Sequence, residues 1–144
     1  MHAGKQVVGM SFQGQKRAQS IGYIIPVPII QHVLEDIELH QKYTAFPRLS
    51  FEYQLMENSS LRKYFKLNDD QHGILITSIV PACALNRILQ KDDVIIAIDN
   101  VPIADDGSIY FRRGERLDFR YLEKLKYVGD EMKFTIIRQG LKIK

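Results

Sequence analysis

The chain has 144 residues, with 20 Lys+Arg against 17 Asp+Glu for a formal charge of +3, and is 45% hydrophobic and 26% charged. That length holds one full domain plus a fragment, and the composition excludes a disordered, collagen-like or histone-like chain. The single cysteine, Cys83, excludes an internal disulfide framework and a cysteine-built zinc site, and no apolar run approaches the ~20 residues of a membrane-spanning helix.

Gln6 to Phe12 (QVVGMSF) is apolar and β-branched at its start, which predicts a strand. Gln13 to Ser20 is a polar turn, and Ile21 to Ile25 (IGYII) is a second strand able to close a hairpin. Pro26 ends that strand, and Pro28 suits the first turn of a helix. Ile30, Val33, Leu34 and Ile37 then recur at i, i+3, i+4 and i+7, the apolar face of an amphipathic helix. A hairpin and one helix cannot bury a core of their own, so this segment must lean on something else.

Lys42 to Arg48 is a connector, and Leu49 to Gln54 (LSFEYQ) alternates as a half-buried strand does. Asn58-Ser-Ser60 offers cap chemistry for a short helix over Leu61 to Leu67. Gly73 to Val80 is a strand ended by Pro81, Ala82 to Leu89 is helical in composition, and Asp93 to Ile98 is a strand closed by the Asp99-Asn100 turn. Ala104 to Arg116 is a polar excursion, Leu117 to Tyr127 is expected to be helical, and Met132 to Arg138 is a last strand. The order predicts an α+β domain: a partly open antiparallel β-barrel or sheet with two to three helices.

Side chains that could carry chemistry are few. His32, Asp36 and His40 share one helix face, but three ligands along two turns diverge, so a polar helix face is expected rather than a metal site. Arg112, Arg113, Arg116, Arg120, Lys124 and Lys126 form a basic cluster interleaved with Glu115, Asp118 and Glu123, which reads as ion-paired surface. Phe111, Phe119 and Tyr121 read as packing, and Cys83 as a small buried side chain. No serine stands in a Gly-x-Ser-x-Gly context.

Gly73 to Ala84 (GILITSIVPACA), Leu89 to Ile103 (LQKDDVIIAIDNVPI) and Leu122 to Met132 with Gly129-Asp130 together resemble a PDZ domain of the circularly permuted bacterial type. Phe46 to Gln54 (FPRLSFEYQ) resembles its peptide-binding loop and strand. Residues 1–41, with Val7 to Phe12 followed by Ile21 to Pro26 and a helix, resemble the end of a trypsin-like domain of the HtrA/Deg serine proteases, and Met56 to Asn58 with the 104–116 excursion resemble the plant-type Deg branch, also found in protists. Two departures stand out: Leu49-Ser50-Phe51 where relatives carry Leu-Gly-Val, and Asp92-Asp93 where they carry Gly-Asp.

The resemblance implies a protease tail at 1–41 and a PDZ domain at 42–144. It implies that the family's nucleophilic serine lies shortly upstream of Val7, so this stretch is expected to have no catalytic residues, and neither a cofactor nor a metal. It implies a peptide-binding site built from Arg48, Leu49, Ser50, Phe51 and Tyr53 on the loop and strand, and from Phe119, Leu122 and Lys126 on the opposing wall, a helix that also contains Glu123; plain core is the alternative for the apolar ones, and solvated surface for Arg48. Expected partners are peptide or unfolded-protein segments, C-terminal ones above all, with homo-oligomers in the whole protein and neither nucleic acid nor membrane. The rival is a structural module whose groove is filled by its own chain or a neighbouring subunit. The compartment stays open, with no signal-peptide pattern at the start.

Overall fold

The computed structural model describes residues 9–14 and 22–144. The chain divides into two compact units, Met1–Phe46 and Pro47–Lys144. The expected strand start at Gln6 to Val8, and most of the turn that follows the strand, lie outside the described residues.

In the first unit, β1 (Gly9–Gly14) pairs antiparallel with β2 (Gly22–Pro26), which runs straight into α1 (Val27–His40). Pro28 stands in the first turn, where its missing N–H costs nothing. The expected apolar face is not the buried one: Leu34 and Ile37 are exposed, while His32 and Asp36 are buried. The reason is the segment after the helix, which folds back over the polar side. Asp36 Oδ2 accepts from the Thr44 backbone N–H at 2.6 Å, and Oδ1 accepts from the Thr44 hydroxyl at 2.6 Å and lies 3.0 Å from His40 Nδ1. The His32 ring stacks on Phe46 with centroids 4.6 Å apart. Of the three residues considered as metal ligands, Asp36 and His40 thus join a helix-end polar network with Thr44, and His32 packs against Phe46.

The second unit is built on an open six-stranded antiparallel sheet. Its strands are β3 (Phe51–Leu55), β4 (Ile74–Ile79), β5 (Val94–Ile98), β6 (Val101–Pro102), β9 (Phe134–Arg138) and β10 (Leu141–Ile143), with the order β10-β9-β5-β4-β3 and β6 paired to β5. Side-chain alternation sends neighbours to opposite faces. Ile74, Ile76, Ile95 and Ile136 join Phe51, Phe119 and Leu122 in one core, while Leu75, Val94 and Ile137 join Met56 and Leu67 in the other. Each such buried side chain contributes roughly 1.5–3 kcal/mol. Gly73 is required by close approach, since a Cβ there would lie 2.2 Å from the Ile95 carbonyl oxygen. The register slips between Glu52, opposite Ser78, and Tyr53, opposite Ile76, so Thr77 is the extra residue and β4 carries the bulge.

Short helices close the two faces. Between β3 and β4, α2 (Ser59–Tyr64) is capped by the Asn58 side chain, which accepts from Ser60 and Leu61 backbone N–H groups at 2.9 and 3.2 Å. The stretch expected to be helical at Ala82 to Leu89 is only a 3-10 turn over Ala84–Arg87. The polar excursion is a hairpin, β7 (Ser108–Arg112) with β8 (Glu115–Asp118), turned at Gly114, whose φ is +78°. The hairpin takes the start of the expected 117–127 helix, leaving one turn, α3 (Tyr121–Lys124). Asp105 anchors the base of this excursion: its side chain accepts from Arg62 and from the Gly73 backbone N–H, with His72 Nδ1 2.8 Å away. The Asp92-Asp93 departure is absorbed without loss of the turn. Asp92 takes φ 72°, and buried Asp93 is gripped by Arg138 Nε and Nη2 at 2.7 and 2.8 Å.

Candidate functional site

Within Pro47–Lys144, β3 is the terminal strand of the sheet, hydrogen-bonded on one side only, to β4. An edge of this kind presents a row of backbone donors and acceptors that another extended chain can join. The loop Pro47–Ser50 leads into it, and α3 stands across from it. Three contacts tie wall to strand: the Phe51 and Phe119 rings stack at 6.3 Å, Tyr53 meets Phe119 edge-on at 5.0 Å, and the Arg120 guanidinium lies 5.1 Å from the Tyr53 ring centroid.

The eight expected site residues divide into three groups. Phe51, Phe119 and Leu122 are buried in the core at 3%, 0% and 8% exposure, so they shape the strand and wall from behind. Arg48, Leu49, Ser50 and Tyr53 stay at least partly open around the loop and strand. Lys126 lines a hollow beside the loop with its head group engaged: its Nζ lies 2.8 Å from Asp99 Oδ2 and donates to the Glu131 carbonyl at 2.9 Å. Burial pushes the Asp99 carboxyl up, but the bonds from Lys126 and from the Lys133 backbone N–H outweigh it and hold the group below its ordinary range.

Two hollows flank the loop. One of about 350 Å³ is lined by Arg48, Leu49, Ser50, Phe51, Glu52, Val80 and Arg120. The other, about 280 Å³, includes Pro47, Leu49, Leu85, Glu123, Tyr127 and Met132. Cys83, expected to be buried, is only partly so and lines this second hollow. A hollow of about 590 Å³ lies elsewhere, around Tyr64, Phe65, Asp93 and Arg138, and its central charges already satisfy one another.

Ser50 is absent from the positive-φ residues, so the loop does not need glycine's freedom at this point and the serine brings no strain. Its hydroxyl lies 3.4 Å from the Arg48 carbonyl. Two further groups stand at the site: Arg120, which was not among the expected residues, and Glu123, expected only as part of the wall helix. Arg120 reaches over Tyr53, and Glu123, buried at 5% exposure, places Oε2 2.8 Å from the Leu49 backbone nitrogen, whose N–H it accepts. Glu123 and Leu49 are 74 positions apart in sequence, and nothing local pairs them. Among the described residues, three of the six in the basic cluster are ion-paired: Arg112 with Glu115, Lys124 with Glu123 and Lys126 with Asp99.

Comparison with known proteins follows the geometry closely. The PDZ domain family matches residues 54–105. Protease Do-like 4, mitochondrial, of Arabidopsis thaliana is 40% identical over 95% of this chain and 26% of its own length. Protease Do-like 2, chloroplastic, of the same plant is 34% identical over 94% of this chain and 22% of its own length. Among solved structures, the HtrA-type protease AlgW with a decapeptide superposes with a TM-score of 0.62 at 21% identity, covering 95% of this chain and 39% of that one. A second structure of that protease gives 0.64 at 22%. This likeness establishes the α+β PDZ-like fold. The chain spans about a quarter of the length of the curated relatives it matches. Residue pattern, family match, relatives and fold agree: this chain belongs to the HtrA/Deg serine protease family and carries a PDZ-domain segment of it.

Proposed function

We propose that Pro47–Lys144 takes up an extended peptide or unfolded-protein segment as an additional strand along β3, beside α3, and that this recruits substrate to, or regulates, the protease of which it is part. Residues 1–41 are, in this reading, the closing hairpin and exit helix of the protease domain. The observation that carries the proposal is the position of β3, terminal in its sheet and preceded by a loop with exposed Arg48. Backbone hydrogen bonds along the edge supply affinity, and side-chain hollows at alternate positions supply selectivity. The hollow around Arg48 and Arg120 suits polar or acidic groups, and the one around Leu49, Leu85 and Met132 suits apolar ones. Free C-terminal ends are the ligand that the family resemblance implies.

A titration against a library of fluorescent peptides tests this. Saturable binding in the micromolar range is expected, and Leu49→Asp should abolish it while the circular dichroism spectrum is kept. Absence of binding by every peptide would overturn the reading.

A second reading has its own observation. The β7–β8 hairpin carries Tyr110 and Phe111 exposed, which suits contact with a neighbouring subunit in an assembly. Sedimentation of the wild type against Tyr110→Ser with Phe111→Ser separates the two, since only an assembly role makes the sedimenting mass fall.

A further inference from the structure

The loop before an edge strand holds a peptide's terminal carboxylate through its backbone amide hydrogens. In this chain one of those amides is already taken. The Leu49 N–H donates to Glu123 Oε2 at 2.8 Å. Glu123 is buried at 5% exposure, and its other oxygen, Oε1, is 3.2 Å from Lys124 Nζ. The protein's own carboxylate therefore sits, oriented at both oxygens, at a donor that an incoming carboxylate would use.

We propose that Glu123 is a specificity-determining residue that turns the groove away from free C-termini and toward internal stretches of extended chain. The inference rests on the strand-addition reading above and narrows its ligand class. The physics is competition and repulsion together. A peptide carboxylate arriving at Leu49 must either displace Glu123 or lie beside it. Displacement leaves a buried acid without its backbone donor, and juxtaposition places two like charges in a partly desolvated hollow. An internal segment brings no charge to this point. Its backbone runs past the loop, and it takes the β3 edge hydrogen bonds without contesting the Leu49 N–H. Selectivity of this kind arises from an unfavourable term against the wrong ligand. Arg48 and Arg120 line the adjacent hollow. Their charge is available to acidic side chains of a passing segment as readily as to a terminus, so they do not restore the discrimination.

The test uses one peptide sequence in three forms: with a free C-terminal carboxylate, with a C-terminal amide, and extended by four further residues so that the same stretch is internal. Each is titrated by fluorescence anisotropy against the wild type, Glu123→Gln and Glu123→Ala. The wild type is expected to bind the amidated and extended forms at least fivefold more tightly than the free acid. Glu123→Gln keeps an acceptor for Leu49 but removes the charge, and should shrink that ratio at least threefold. Glu123→Ala frees the N–H and should bring the free acid level with or ahead of the amide. The Leu49 amide resonance gives a second readout, shifting in Glu123→Ala before any peptide is added and again only when the free acid binds. A wild type that prefers the free acid, or a preference unchanged in both variants, overturns this inference and leaves the strand-addition reading standing. Failure of all three forms to bind any of the three proteins overturns both.

Discussion

In Pro47–Lys144 a set of large apolar side chains builds a core of its own: Ile74, Ile76, Ile95, Ile98 and Phe119 are fully buried on a sheet that has a core against each face, although others such as Tyr110 and Ile88 stay exposed. In the described part of Met1–Phe46 the order is inverted. Met10, Phe12, Tyr23, Ile24, Leu34 and Leu39 are exposed, and the buried residues of α1 are His32 and Asp36. The second unit has the anatomy of a domain that stabilises itself. The first is held by a hairpin, a helix and a polar knot at the helix end, and its apolar surface has the character of a face for another element. The difference shows that compactness and self-sufficiency are separate properties.

The largest expected effect is on the separated units. Residues 47–144 expressed alone should melt cooperatively, whereas residues 1–46 alone should show no cooperative transition by circular dichroism. A cooperative melt of the smaller piece would break the contrast. Within the second unit, Phe119→Ala should cost about 3–5 kcal/mol in urea unfolding, because it empties a ring-sized space between Phe51 and Tyr53. Acid should act on the first unit through Asp36. The Thr44 hydroxyl bond above all, with the Thr44 backbone N–H and His40, holds this carboxyl below the ordinary range against the opposing effect of burial. Its folded pKa is depressed, so its contribution is complete above the unfolded value of about 3.9 and is lost as pH falls through the folded one. Exchange of the Thr44 amide should therefore accelerate only in strong acid, and Asp36→Asn should remove that pH dependence. The smallest effect is expected for Leu34→Ser and Leu39→Ser, each within about 0.5 kcal/mol, since both side chains are already in water. A loss several times larger would show that this face is covered in solution.

Strands of the second unit were legible because their β-branched runs are bounded by turn residues, as at Ile74–Ile79 before Pro81 and Val94–Ile98 before Asp99-Asn100. The stretch around Leu117 misled for a definable reason. Leu117 and Phe119 satisfy alternation as well as Phe119, Leu122 and Leu125 satisfy a helical period, and the partner strand Ser108–Arg112 decided between them. The signal for that hairpin was present in Ile109-Tyr-Phe-Arg-Arg-Gly114, an apolar and aromatic run ending at a glycine with positive φ. The buried face of α1 was read by hydrophobicity alone. It was decided by Thr44 and Phe46, which lie beyond the helix and return to it. At the site, the loop and strand followed from sequence because they are contiguous. The Glu123–Leu49 bond did not, because only the folded chain brings the two together, whereas the core positions of Phe51 and Phe119 were the alternative that large aromatic side chains left open.

The slipped register between Glu52 and Tyr53 has a consequence for self-association. A flat, regular sheet margin invites a second copy, then a third, and so templates fibril growth. The bulge at Thr77 of β4 raises the local twist of the β3–β4 pair, and Glu52 sets a negative charge on β3 beside it. A twisted, charged margin is a poor template for stacking identical copies, so growth from molecule to molecule is disfavoured.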